Sequence, residues 1–94
     1  MRYTFDFFCG TSTSEALYAL RAHANARVVC VDRDHDLQYV VDNGYIPSKY
    51  LGRYLHIHAD VLDLTIDGIW KAVVERWPTA AWEEVQGGLG AGSN

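Results

Sequence analysis

A chain of 94 residues, 49% hydrophobic and 21% charged, holds one small folded domain and is too apolar to be disordered. Eight Lys and Arg against twelve Asp and Glu give a net charge of −4, which excludes a general electrostatic footprint for nucleic acid, and no basic run could neutralise a line of phosphates. Cys9 and Cys30 lie in apolar runs and form neither a disulfide framework nor a metal-ligand spacing. With no stretch resembling a membrane span or a signal peptide, a soluble, cytoplasmic protein without membrane contact is expected.

Residues 3–9 (YTFDFFC) are aromatic-rich and stop at Gly10, the pattern of a buried strand. Thr11 to Ser14 supply hydroxyls that can cap a helix, and Glu15 follows where acid suits the helix dipole. Ala16, Leu17, Ala19, Leu20 and Ala24 then recur at helical spacing over residues 15–25. Residues 27–32 (RVVCVD) have the continuous hydrophobicity of a parallel strand covered on both faces. Residues 34–43 read as a short helix closed by Gly44, and residues 45–53, with Pro47 and Gly52, as a loop or one helical turn. A third strand is expected over residues 54–58. Thr65 or Asp67 caps a helix that runs to about Trp77 and is broken by Pro78. Residues 81–85 could begin a fourth strand, and the Gly/Ser-rich residues 87–94 read as a flexible tail.

Strands alternating with helices at this spacing predict a three-layer α/β sandwich. Its parallel sheet would have three or four strands, with the first strand internal, built from residues 1–86. A ligand of such a sheet binds outside the carboxyl ends of its strands. Three acids fall there. Asp6 lies late in the first strand, Asp32 ends the second, and Asp60 follows the third. A carboxylate at the end of the second strand can accept hydrogen bonds from both hydroxyls of a ribose, and Gly10 permits a sharp turn with close backbone approach.

Asp6-Phe7-Phe8-Cys9-Gly10-Thr11-Ser12-Thr13 resembles the first motif of class I, Rossmann-like S-adenosylmethionine-dependent methyltransferases, DNA methyltransferases in particular. Val28 to Asp32 is similar to that family's second motif and His58-Ala59-Asp60-Val61 to its third. The resemblance implies that S-adenosylmethionine is the cofactor. The turn formed by Cys9, Gly10, Thr11 and Ser12, flanked by Asp6 and Phe8, would hold its methionine part. Asp32 would bind the ribose, Arg33 or Asp34 would border the adenine, and Asp60 with Val61 would face the adenine amino group. Ser12 stands where the motif has its second glycine. Neither the proline–cysteine of cytosine methyltransferases nor the proline–proline–aromatic run of amino methyltransferases is present. No catalytic residue is therefore assigned, the chain alone is expected to be inactive, and any nucleic-acid contact would have to come through other segments.

His56, His58 and Asp60 alternate along the third strand and its end, so two imidazoles and a carboxylate could share a metal ion. An edge strand with one polar face accounts for the pattern equally well, and no metal site is assigned. The alternatives to the cofactor-binding reading are a non-catalytic methyltransferase-like interaction module and a nicotinamide- or nucleotide-binding domain. The latter lacks the three-glycine fingerprint after Gly10. A sheet ending near Val85 would leave an apolar edge beside Trp77 and Trp82. On that ground the chain is expected to be a homo-oligomer or a subunit of a larger assembly.

Overall fold

The run Ala-Arg-Val-Val-Cys-Val-Asp at residues 26–32 is shielded from solvent along almost its whole length, so it must be covered on both faces. The computed structural model, which describes residues 1–7 and 14–92, places it at the centre of a three-stranded sheet. In chain order the elements are β1 (Arg2–Asp6), α1 (Ser14–Ala22), β2 (Ala26–Asp32), α2 (Leu37–Asp42), a 3-10 segment (Ser48–Arg53), β3 (Tyr54–His58), a short 3-10 turn (Val61–Asp63), α3 (Ile66–Arg76) and α4 (Trp82–Gly92). The strand order is β1-β2-β3 and both pairings are parallel, with Asp6 opposite Cys30 and Asp32 opposite His58.

Alternation along β2 sends its side chains into two cores. Val28 and Cys30 pack with Ala16 and Leu20 of α1, Val40 of α2, Ile46 and Tyr54. Val29 packs on the other face with Tyr3 and Phe5 of β1, Ile69 and Val73 of α3, Trp77 and Val85. The result is a three-layer α/β sandwich compatible with a Rossmann-like fold. Both crossovers, through α1 and through α2, pass over the same face, as two crossovers of one hand must when the sheet grows in one direction.

Local chemistry explains most boundaries. Asp36 caps α2 by accepting from the Tyr39 N–H at 2.9 Å, and Thr65 caps α3 by accepting from Gly68 at 3.0 Å. Gly44, with φ +68°, takes the left-handed conformation just beyond α2. Arg53 reaches from the 3-10 segment to the carbonyls of Leu20, His23 and Ala26. One guanidinium thus satisfies the last turn of α1 and the entry to β2 together.

Several expectations are corrected. The helix expected over residues 34–43 is confined to Leu37–Asp42, because residues 33–36 form a loop built on side-chain hydrogen bonds. Residues 81–85 begin no strand, and residues 87–92 are no loose tail. Residues 82–92 form the single helix α4. Glu83 and Glu84 favour its first turn, and Trp82, Val85 and Leu89 share one side at helical spacing, packed with the second core. Trp77 is buried, its indole N–H donating to the Gly52 carbonyl at 3.0 Å, and Trp82 packs edge-on against Trp70.

Nor is β1 internal: among the described strands it lies at the edge of the sheet. The Arg2 N–H bonds to Asn25 on the β2 side, so the backbone groups of Tyr3 point away from β2. Helix α4 lies against that outer side. A Cβ built on Gly88 would come within 2.4 Å of the Tyr3 carbonyl oxygen. The bare edge and the exposed tryptophan on which self-association was expected are therefore absent at these positions.

This contact accounts for glycine at position 88, a residue that costs about 1 kcal/mol relative to alanine in a helix interior. Gly88→Ala should destabilise the fold by roughly 1–3 kcal/mol through overpacking against rigid backbone. Gly87→Ala, where a Cβ meets nothing within 4 Å, should instead stabilise it by about 0.5–1 kcal/mol. Urea denaturation followed by circular dichroism checks the pair, and equal effects of the same sign would contradict the packing described.

Candidate functional site

Parallel strands end together, and at their carboxyl ends three chain segments surround a cavity of about 430 Å³. Phe7 enters from the end of β1. Val31, Asp32, Arg33 and Asp34 come from the end of β2 and the loop after it, and Ala59 to Leu62 from the segment after β3. The Ala59 N–H donates to the Asp32 carbonyl at 3.0 Å and ties the second and third segments together.

Among the described residues Asp32 is the one charged group in the buried core, at 4% exposure. Its burial is tolerated because both carboxylate oxygens are satisfied. Oδ1 accepts from the Asp34 N–H at 2.9 Å, and Oδ2 lies 3.2 Å from Nδ1 of His35. Arg33 and Asp34 form an ion pair at 3.3 Å, both side chains well exposed. Water screens that pair, so it contributes little to stability. Next to this loop Tyr39 tilts against the His35 ring, with centroids 4.2 Å apart. The Tyr39 hydroxyl is held above its ordinary pKa, chiefly by a side-chain hydrogen bond with Tyr45.

Of the residues expected at a cofactor site, the fold brings Asp32, Arg33, Asp60 and Val61 around one cavity. Asp6 ends β1 at the same end of the sheet but is not among the lining residues. Phe8, Cys9, Gly10, Thr11 and Ser12 lie outside the described residues. Asp60 also acts locally, since its Oδ1 accepts from the Leu62 N–H at 2.9 Å and caps the 3-10 turn that forms one wall. Phe7, Val31, Ala59 and Leu62 were not foreseen. Phe7 and Val31 could have been found from their place at the carboxyl ends of the first two strands, where a ligand of a parallel sheet binds. Leu62, 88% exposed, carries no signal in the sequence.

The alternating histidines hold backbone. His56 Nε2 lies 2.7 Å from the His35 carbonyl and His58 Nε2 3.0 Å from the Arg33 carbonyl. A carbonyl only accepts, so both rings carry a proton on Nε2. His56 Nδ1 is 2.8 Å from the Tyr54 hydroxyl, which donates to it when the ring is neutral. No group of three or more His, Cys, Asp and Glu placed to hold a metal ion occurs among the described residues. No described helix is long and apolar enough to cross a membrane.

Comparison with protein-family models, with curated proteins and with solved structures gives no match to this chain.

If Asp60 acts first as a cap, Asp60→Ala should lower stability by about 1 kcal/mol while Asp60→Asn, which keeps an accepting oxygen, should cost only a few tenths. Thermal denaturation of the two variants distinguishes this from a carboxylate needed only for its charge, for which both would behave alike.

Proposed function

We propose that this chain is the cofactor-binding part of a methyltransferase-type domain, taking S-adenosylmethionine in the cavity at the carboxyl ends of its strands. One observation carries the reading: a buried carboxylate, Asp32, ends the central strand on the wall of a 430 Å³ cavity. That volume is within the range of small-molecule sites. Buried charges are costly, and one at the tip of an apolar strand beside a cavity fits a ligand that donates hydrogen bonds. The residues present suit the adenosine portion. Asp32 would accept from the ribose hydroxyls through its remaining lone pairs. Val31, Val61 and Phe7 supply apolar surface for the base, and Arg33 and Asp34 border it. When bound, the cofactor supplies an electrophilic methyl group on a sulfonium centre. This chain's own residues would bind and orient it and keep water from the base.

Charge favours this ligand over a dinucleotide. Asp32, Asp34 and Asp60 line the cavity against Arg33 alone, whose guanidinium already faces Asp34. A pyrophosphate would meet net negative charge, whereas a sulfonium would not be repelled by it. The first motif resembles that of DNA methyltransferases, any nucleic-acid contact would have to come through residues other than these, and neither a methyl acceptor nor a catalytic residue is part of the proposal.

Calorimetric titration with S-adenosylmethionine, S-adenosylhomocysteine and NAD tests it. The first two should bind and NAD should not. Asp32→Ala should weaken S-adenosylhomocysteine at least about tenfold, the loss of a charge-assisted bidentate hydrogen bond. Binding of NAD in preference, or an unchanged dissociation constant in the variant, would overturn the assignment.

A further inference from the structure

Four residues, 33–36, join the end of β2 to α2, and two sets of hydrogen bonds fix the first three of them. Inward, the loop supplies both partners of the Asp32 carboxylate, the Asp34 N–H to Oδ1 and the His35 ring to Oδ2. Outward, the carbonyls of Arg33 and His35 accept from His58 and His56 of β3. A loop carbonyl outside regular structure bonds either water or a side chain, and here two alternate residues of an edge strand provide the partners. The parallel register makes this possible. Cys30 stands opposite His56 and Asp32 opposite His58, so both imidazoles rise on the sheet face over which the loop leaves β2. His56 is in turn held by the hydroxyl of Tyr54, a buried core residue. The chain of contacts therefore runs from the core, through His56, to the His35 backbone, and from the His35 side chain to Asp32.

We infer that His56 and His58 are positioning residues, which hold the loop after β2 so that the Asp32 carboxylate meets a nucleoside in the cavity in one orientation. Neither imidazole is among the groups lining the cavity. Their effect passes through the two carbonyls. The consequence for ligand affinity rests on the proposed function, whereas the consequence for the loop does not. His56, half-buried, has the stronger influence, because its bond to the loop is sheltered from competing water, while His58 is exposed.

The test measures both consequences in the full chain, using His56→Ala, His58→Ala and His56→Gln. Glutamine places an amide N–H close to the position of Nε2 and keeps the donor. By NMR, hydrogen exchange of the Asp34 amide should quicken about tenfold in His56→Ala and about threefold in His58→Ala, with the amides of β2 unchanged. Glutamine should restore the slow rate. Affinity for S-adenosylhomocysteine should follow the same order. An unchanged Asp34 amide in both alanine variants would overturn the inference, as would failure of His56→Gln to restore it. Should the exchange respond as expected while the wild-type chain binds no S-adenosylhomocysteine, the positioning role stands and the ligand assignment falls.

Discussion

The structure depends on the covering of β2 from both sides. Val28, Val29 and Cys30 are fully buried, and no single helix layer can cover both faces of a strand. α1 and α2 must lie on one side, α3 and α4 on the other. At about 1.5–3 kcal/mol for each fully buried aliphatic side chain, this burial is the dominant favourable contribution in a domain with so small a core. The polar end of the strand, Asp32, is carried into the same protected environment. It is kept there by two hydrogen-bonding partners from the following loop.

Two arginines adapt the layers to this centre. Arg53 joins the end of α1 to the start of β2 by three carbonyl contacts, which fixes where the first crossover returns to the sheet. Arg27 donates to the Tyr3 hydroxyl at 2.7 Å and lies 4.9 Å from the centre of the Trp77 ring. A charged side chain thereby covers aromatic surface between β1 and the end of α3. Each uses several fixed donors or a planar face, so lysine would be a poor replacement at either place.

At the carboxyl ends of the strands, the proposed site and the architecture share residues. Asp60 caps the turn that it contributes to the cavity wall, and His35 braces the carboxylate whose loop it belongs to. The short loops are possible because side chains replace the backbone hydrogen bonds that regular structure would supply. A change in the loop therefore moves the Asp32 carboxylate as well, since the two are one hydrogen-bonded unit.

The order of strands and helices, the parallel sheet and the position of Asp32 were legible in the residues themselves. Short continuous apolar runs, period-3.6 hydrophobicity, Thr65 as a cap and Gly44 as a stop are local signals, read within one turn or one strand. Tertiary structure alone decided the rest. Residues 81–92 carry an apolar start and four glycines, which locally suggest a strand and a loose tail. They become a helix because Val85 and Leu89 find the second core and Gly88 finds the Tyr3 carbonyl. β1 lies at the edge because α4 occupies its outer side. Read along one strand, the histidines of β3 suit a shared metal or a polar edge face equally, and what they bond is decided elsewhere: their partners are carbonyls more than twenty residues earlier. A hydrogen-bond acceptor supplied by distant backbone has no side-chain identity, so no pattern in the sequence announces it.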